Sequence, residues 1–359
     1  MAYIESFLTI MKLTLEAVYK IWVREDIMKS SHKFLLGLLI AIMATVLLTG
    51  CNSETKSASG KSQEVDEPIK VNVAINGGIG PIVIAKEKGW LEEEFKSLNA
   101  EVAWSEFPSG PPLLESLASN RVDLSTLGDG ALIAGLDKKL PFEVIAQLGT
   151  GESLSRILAQ ADSDIQKVED LKGKTVGVAS GTTAHVYLIK ALKAHGLTTD
   201  DVKLINLQAD DAQAAFETKQ LDAWVIWNPY RILNIKKGIA KELEVNAEIL
   251  APAALIARTE FGKEHPEIVE AYLRVSKKAA EWQNENPDEA AKIFSEKTKL
   301  PVEIVKSIIT AEKPDLFFTD KGIKAQQDSI KTLAKVGYIK NEFNFEEHIN
   351  DKYLDKAFE

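Results

Sequence analysis

The sequence predicts an α/β fold divided into two lobes. From residue 70 onward, short runs of β-branched and other apolar residues alternate with helical segments, and this alternation favours parallel sheets covered by helices. Two apolar runs, at residues 142–148 and 156–161, follow each other without an intervening helix. We therefore expect the chain to leave one sheet there and enter a second. A later apolar run at residues 249–257 is expected to cross back.

The first lobe opens with the β-branched run Val71–Ile75, which predicts a strand. A glycine cluster and Pro81 follow, and proline suits the first position of a helix, where no backbone donor is needed. A helix is therefore predicted from Pro81 to about Lys88, and Gly89-Trp90-Leu91 is expected to close it. The remaining elements of this lobe are predicted strands at 100–105, 122–127 and 142–148, and predicted helices at 110–119 and 130–136.

The second lobe repeats the alternation, and the chain then becomes helical. Its elements are predicted strands at 156–161, 175–179, 202–207 and 223–227, and predicted helices at 168–173, 184–195 and 210–218. Amphipathic helices are predicted after Pro266, outside the first lobe, at 269–284, 287–298 and 324–336. The first lobe is predicted at 69–158 and 253–359 and the second at 159–252, with a hinge near Leu158 and Ala253.

The N-terminal segment has the pattern of a secretory signal. Residues 34–48 are uncharged and mostly apolar, too short for a comfortable membrane span of about 20 residues, and basic residues precede them. The run ends in Leu48-Thr49-Gly50-Cys51, which resembles a bacterial lipobox and predicts lipid attachment at Cys51. The alternative is a short membrane helix with an incidental cysteine. Residues 1–50 are thus predicted to be a leader, with the signal peptide at 28–50.

Two further expectations concern this region. Met28 stands just before the basic residues, so we expect translation to start there, with residues 1–27 an error of start-site assignment. Residues 51–68 are polar and rich in Ser, Lys and Glu, and we expect a disordered tether that reaches roughly 55 Å when extended. The protein is then extracytoplasmic and anchored to the cell membrane by lipid.

Composition excludes several functional classes. The chain of 359 residues has a net charge of −10, which argues against nucleic-acid binding. It has one cysteine and five scattered histidines, so a disulfide framework and a cysteine-based zinc site are excluded. No complete nucleotide-binding loop, GxSxG elbow or HExxH pair is present. We therefore expect no enzyme activity, no metal and no cofactor.

Three glycine-containing turns each follow a predicted strand and open a predicted helix. The unpaired backbone N–H groups and the dipole of a helix N-terminus favour anions, and ligands of open α/β sheets bind beyond the carboxyl ends of the strands. The turns from both lobes are therefore expected to converge on one anion, although each alone could be an ordinary helix cap. They lie at Gly77–Gly80, Leu127–Gly130 and Ser180–Thr183.

Three side chains near these turns have two readings each. Asp129 could cap its own helix or meet a donor on the ligand. His185 could face the cleft or be an ordinary packing histidine. Trp224 and Trp227 should point to opposite faces of one strand, and Trp227, at its carboxyl end, could cover an organic tail or belong to the core.

Longer blocks of sequence resemble a known family. The segment Trp104–Glu115, Gly128-Asp129, Ser180–His185 and Asp222–Tyr230 is similar, in this order, to segments of aliphatic-sulfonate-binding proteins. These belong to a larger group that binds taurine, nitrate and thiamine precursors as solute receptors of ABC importers. The resemblance implies a two-lobed periplasmic-binding-protein-like fold of type II, with two crossings between lobes and the C-terminal helices on the first lobe.

The resemblance also implies a function and a set of site residues. The expected protein is a monomer that captures a small organic anion, an alkanesulfonate, in an interlobe cleft and delivers it to ABC permease subunits. Taurine, nitrate or a thiamine pyrimidine precursor are alternative ligands, and a sensor or a pyrimidine-synthesising enzyme are less favoured alternatives. The expected ligand-binding residues are Gly78, Ile79, Gly80, Gly128, Asp129, Ser180, Gly181, Thr182, Thr183 and Trp227, with His185 and Asn228 behind them. Thr183 and Asn228 depart from the family pattern, which has an asparagine-like residue and an aspartate there.

Overall fold

The computed structural model describes residues 67–149, 151, 153–311 and 313–359, and these belong to one compact unit. The leader, the lipid attachment at Cys51 and the tether up to residue 66 lie outside the described residues, so the expectations about them stay predictions. Within the described part of the chain, no helix is both long enough and apolar enough to cross a membrane.

The first lobe contains a five-stranded sheet in the order β2-β1-β3-β10-β4. Strand β1 is parallel to β2 and β3, whereas β10 is antiparallel to β3 and β4. The expectation of parallel strands is therefore wrong for β10, because this strand arrives from the second lobe and enters the sheet at the edge where its neighbours end. The strands are β1 Ile69–Asn76, β2 Ala100–Phe107, β3 Leu124–Leu127, β4 Phe142–Leu148 and β10 Ala253–Arg258.

The second lobe repeats this arrangement, with a sheet in the order β7-β6-β8-β5-β9. Here β5 is the strand that arrives from the other lobe, and it is antiparallel to β8 and β9, while β6 is parallel to β7 and β8. In both sheets the arriving strand is fourth in order. The strands are β5 Arg156–Gln160, β6 Thr175–Val178, β7 Lys203–Asn206, β8 Ala223–Ile226 and β9 Ala240–Glu242.

The chain does not cross between the lobes at Leu158 and Ala253, the two residues near which the sequence predicts a hinge. Leu158 pairs with Trp224 and Glu242 inside the second sheet, so the boundary placed at residue 158 falls within β5. Ala253 is the first residue of β10. The chain instead crosses at residues 149–155 and 243–252, and the amide of Ser153 donates to the carbonyl of Ile249 at 2.7 Å, which joins the two crossings.

Thirteen α-helices are described in these residues. Lys88 and Gly89 separate the first two, with Gly89 at φ 67°, so Trp90 begins a helix instead of helping to close one. The predicted helix at 168–173 is a single 3₁₀ turn, Val168–Leu171. The α-helices are α1 Pro81–Glu87, α2 Trp90–Lys96, α3 Gly110–Ala118, α4 Asp129–Asp137, α5 Thr183–Ala194, α6 Ala209–Glu217, α7 Tyr230–Lys236, α8 Thr259–Glu264, α9 Pro266–Glu285, α10 Pro287–Thr298, α11 Val302–Ala311, α12 Asp320–Lys335 and α13 Lys352–Ala357.

The apolar core explains where the C-terminal helices lie. Helices α9, α10, α11 and α13 contribute buried residues to the same cluster as β1, as expected for the first lobe. Helix α12 is different, because it contacts both α4 of the first lobe and α5 of the second. Val186 and Ile189 of α5 are buried in an apolar cluster that is otherwise made by the first lobe. The lobes therefore share buried apolar surface along α5.

Candidate ligand-binding site

Helix N-termini from the two lobes face each other. The residue before α3 is Ser109 and the residue before α6 is Gln208. The Ser109 hydroxyl donates to Gln208 Oε1 at 2.9 Å, which connects the start of a first-lobe helix to the start of a second-lobe helix. Parallel strands end at this edge of each sheet, so the helices that follow them all begin there.

Helices α4 and α5 begin in direct contact with each other. A methyl group on Gly130 would overlap the carbonyl of Thr182, and one on Gly128 would overlap the Thr183 hydroxyl. Glycine is needed at both positions, because Gly130 faces the backbone of Thr182 and Gly128 faces the side chain of Thr183. The structure thus brings together two of the three predicted turns. In the third turn a methyl group on Gly78 would lie 3.4 Å from Thr298 Cγ2 of the same lobe, whereas methyl groups on Gly77 and Gly80 would meet no atom within 4 Å.

Several donors of the Ser180–Thr183 turn are already used within the second lobe. The Ser180 amide donates to Asn206 Oδ1 at 2.9 Å, and the Gly181 amide to His185 Nδ1 at 3.3 Å. The Thr182 hydroxyl donates its proton to Ala179 O at 2.6 Å and accepts from the His185 amide. In this conformation the Thr182 hydroxyl caps α5, and its expected role as a donor to the ligand stays a prediction. The amides of Thr183 and Ala184, in the first turn of α5, and the half-buried Ser180 hydroxyl remain for a ligand.

Asp129 is fully buried and makes its contacts inside the protein. Its Oδ1 accepts from the Gly130 amide at 2.9 Å, and the Ser329 hydroxyl of α12 lies 3.3 Å from its Oδ2. Burial raises the pKa of Asp129 to about 6, while the nearby Lys190 charge and a hydrogen bond from Thr183 act in the opposite direction. Of the two readings left open by the sequence, these contacts favour a structural carboxyl at the lobe contact.

His185 is also buried, and its contacts favour a packing role over a ligand contact. Its Nδ1 accepts from the Gly181 amide, which places the proton of the neutral ring on Nε2. Its ring meets that of Tyr338 edge-on, with 4.8 Å between centroids. Burial lowers the pKa of His185 to about 4, so the ring is neutral at physiological pH.

Trp227 and Asn228 follow the end of β8. Trp227 is half-buried and packs against both apolar clusters of the second lobe, which favours the core reading. Trp224 is fully buried in one of them. The side-chain oxygen of Asn228 is buried and has no hydrogen-bond partner among the described residues, and the Asn228–Pro229 peptide bond is cis.

A cavity of about 60 Å³ lies in the first lobe beneath the Gly77–Gly80 turn. Two of the predicted site residues, Ile79 and Gly80, line it. Tyr272 and Ser276 of α9 also line it, and the sequence analysis missed both. They are four residues apart on an amphipathic helix, and this spacing is typical of residues that pack in an ordinary apolar core. The only available signal was that both carry hydroxyls on the apolar face of α9.

Within the described residues, no group of three or more His, Cys, Asp or Glu side chains could hold a metal ion. Cys51 lies outside that range.

Comparison with known proteins places the chain in a family. A family model described as NMT1/THI5 like matches residues 76–290. The chain belongs to this family. It is 36% identical over 327 residues to a Bacillus subtilis (strain 168) protein named "Putative aliphatic sulfonates-binding protein", which covers 90% of this chain and 97% of that protein. It is 29% identical over 228 residues to the taurine-binding periplasmic protein of Escherichia coli (strain K12), covering 62% of this chain and 69% of that protein.

The solved structure of an alkanesulfonate-binding protein confirms the fold. The alkanesulfonate-binding protein of Xanthomonas axonopodis pv. citri, bound to MOPS, superposes with a TM-score of 0.74 at 23% identity, covering 79% of this chain and 99% of that chain. The prediction of a two-lobed periplasmic-binding-protein-like fold is therefore confirmed, as is the resemblance that the sequence blocks indicated.

Proposed function

We propose that this protein is an extracytoplasmic solute-binding protein that captures an aliphatic sulfonate between its lobes and delivers it to the permease of an ABC importer. The names of its relatives support this proposal, because they are binding proteins for aliphatic sulfonates and for taurine. The structural observation that carries it is the meeting of α4 and α5, whose N-termini come from opposite lobes. Such termini present unpaired N–H groups and a positive dipole end to an anion.

The chemistry of a sulfonate suits this arrangement. Its charge is fixed at physiological pH, and its oxygens accept hydrogen bonds without donating any. The first-turn amides of α5 and the Ser180 hydroxyl are neutral donors, and a hydrogen bond to a charged group contributes about 1.5–3 kcal/mol. Neutral donors hold the anion without a strong ion pair, which favours release to a permease. We propose a binding role, and no catalytic one.

Lobe closure is part of the proposal. The first lobe comprises residues 69–148 and 253–359, and the second comprises residues 156–242. Hinge motion at the two crossings, which are joined by the bond between Ser153 and Ile249, would open and close the contact between α4 and α5. A ligand bound to both helix N-termini favours the closed form.

The location follows from the sequence of the leader. We propose that residues 28–50 are removed as a signal peptide and that Cys51 is acylated, so that the monomeric protein is tethered to the membrane. Cys51→Ser should move the protein from the membrane fraction to the soluble fraction and abolish incorporation of labelled palmitate. Unchanged labelling of Cys51→Ser would contradict the anchor.

Calorimetric titration tests the ligand. We expect ethanesulfonate to bind, and nitrate and an aminomethylpyrimidine to bind much more weakly. Binding of a non-sulfonate with no heat from any sulfonate would overturn the proposal. Taurine is the second candidate, because the similarity to the taurine-binding periplasmic protein of Escherichia coli favours it.

A further inference from the structure

The cavity beneath the Gly77–Gly80 turn combines an apolar wall with neutral polar groups. The polar groups are the side chains of Asn76, Thr126, Tyr272 and Ser276, and none of the residues that line the cavity is charged. Asn76 Nδ2 donates to the Thr126 carbonyl at 3.1 Å, which fixes the amide at the rim. The apolar wall is formed by Ile75, Ile79, Pro81, Ile82, Val83, Leu148 and Leu255.

Two buried hydroxyls in this cavity lack partners. Tyr272 is fully buried and Ser276 is 4% exposed. The Tyr272 hydroxyl lies near those of Thr126 and Ser276, yet neither Tyr272 Oη nor Ser276 Oγ completes a hydrogen bond within the described part of the chain. Buried polar groups are almost always paired, so these two hydroxyls are available to a water molecule or to a ligand that enters the cavity. Burial raises the pKa of Tyr272, so its hydroxyl keeps its proton and can donate.

The cavity is close to the contact between the lobes. Thr126 lines it, and Gly128, two residues later, contacts Thr183 of the second lobe. Two residues of extended chain span about 7 Å. An anion at the start of α5 could therefore extend a short tail into the cavity. Its volume of about 60 Å³ leaves room for a short tail.

We propose that this cavity is the subsite for the tail of the ligand, and that it selects short sulfonates with an uncharged, hydroxyl-bearing end. This inference rests on the proposed function. A hydroxyl on the tail would pair with Tyr272 and Ser276, which can each donate and accept. A tail ammonium, as in taurine, would be buried without a carboxylate beside it, and an unpaired buried charge is strongly disfavoured. Site hydroxyls that pair with a ligand hydroxyl also discriminate against analogues without one.

The test is calorimetric titration of the full-length protein with 2-hydroxyethanesulfonate, ethanesulfonate and taurine. We expect 2-hydroxyethanesulfonate to bind at least tenfold more tightly than taurine, and more tightly than ethanesulfonate. Tyr272→Phe and Ser276→Ala should each weaken the binding of 2-hydroxyethanesulfonate and so remove its preference over ethanesulfonate. Tyr353→Phe, a buried tyrosine of α13 that does not line the cavity, is the matched control and should leave the ranking unchanged.

The outcomes separate the two proposals. If sulfonates bind but both substitutions leave the ranking unchanged, or if taurine binds most tightly, the subsite is wrong and the proposed function stands. If no sulfonate binds, the proposed function fails and the subsite fails with it. Thermal unfolding of each variant checks that it folds, and since each replacement only removes a hydroxyl, one variant decides the question if the other does not fold.

Discussion

The Lys190 ammonium of the second lobe donates to the Ser329 hydroxyl of the first lobe at 2.8 Å. It also lies 3.2 Å from the Asp328 carboxylate, and Ser329 in turn contacts Asp129. Ser329 belongs to α12, and one turn earlier on the same helix Gln326 Nε2 donates to Pro252 O of the second crossing at 2.7 Å. Helix α12 therefore connects the crossing, the start of α4 and the middle of α5, and couples the two lobes.

The first prediction concerns this coupling. Lys190→Met should lower the free energy of unfolding by about 1–3 kcal/mol, because it removes a hydrogen bond to Ser329 and the positive charge near buried Asp129. Urea denaturation measures the change. Lys193→Met is the matched control, since Lys193 lies on the same helix and is exposed. Equal stability of the two variants would contradict the coupling.

The second prediction concerns Asp129 and pH. Its folded pKa of about 6 lies above the ordinary aspartate pKa of 3.8, so between these values the folded protein keeps a proton that the unfolded chain has lost. The contribution of Asp129 to the free energy of unfolding therefore falls as pH rises through this window, by about 3 kcal/mol at most. Asp129→Asn should gain stability relative to the wild type between pH 4 and pH 7. A constant difference across that range would exclude the shift.

The third prediction has the opposite sign. The pKa of His185, lowered from 6.5 to about 4, means that the unfolded chain binds a proton that the folded protein excludes. This contribution to stability is complete above pH 6.5 and is lost as pH falls towards 4. His185→Gln keeps a neutral acceptor for the Gly181 amide and should be less sensitive to acid than the wild type. Asp129 and His185 change the free energy of unfolding in opposite directions over overlapping pH ranges. Chemical denaturation at successive pH values should therefore show the pH dependence of His185 in Asp129→Asn, and that of Asp129 in His185→Gln.

The fourth prediction revises the role of Thr182. Its hydroxyl caps α5 through the His185 amide and bonds Ala179 O, so Thr182→Ala should lower the free energy of unfolding of the ligand-free protein by about 0.5–2 kcal/mol. Thr182→Ser keeps the hydroxyl and should retain most of that stability. A Thr182→Ala protein with normal stability and weaker sulfonate binding would restore the donor role that the sequence suggested.

The local elements of this fold could be predicted because each has a local cause. The β-branched run at residues 71–75 and the threonine before α5 belong to patterns that short stretches of chain determine. The position of β10 could not be predicted in this way. Its neighbours, β3 and β4, lie more than a hundred residues earlier, and its direction is set by its return from the other lobe.

The site was predictable in part for the same reason. The turns at Leu127–Gly130 and Ser180–Thr183 were expected to converge, and the structure brings them into direct contact, so that the group next to Gly128 and Gly130 is the other lobe. Tyr272 and Ser276 face the cavity from a helix nearly two hundred residues after β1. Nothing local distinguishes them from core residues, because the feature that marks them, a hydroxyl without a partner, exists only in three dimensions.

The last prediction uses the contact between the turns. In an exposed helix, replacing glycine by alanine stabilises the helix by up to about 1 kcal/mol. Gly130 lies in the first turn of α4, but a methyl group there would overlap the Thr182 carbonyl of the other lobe. Gly130→Ala should therefore keep or raise the stability of the first lobe while it pushes the lobes apart. Small-angle scattering should show a larger radius of gyration than for the wild type, and sulfonate affinity should fall at least tenfold. Gly151→Ala is the control, because a methyl group there meets no atom within 4 Å. A Gly130→Ala protein with unchanged radius and affinity would mean that the contact between α4 and α5 is not the closed state that binds ligand.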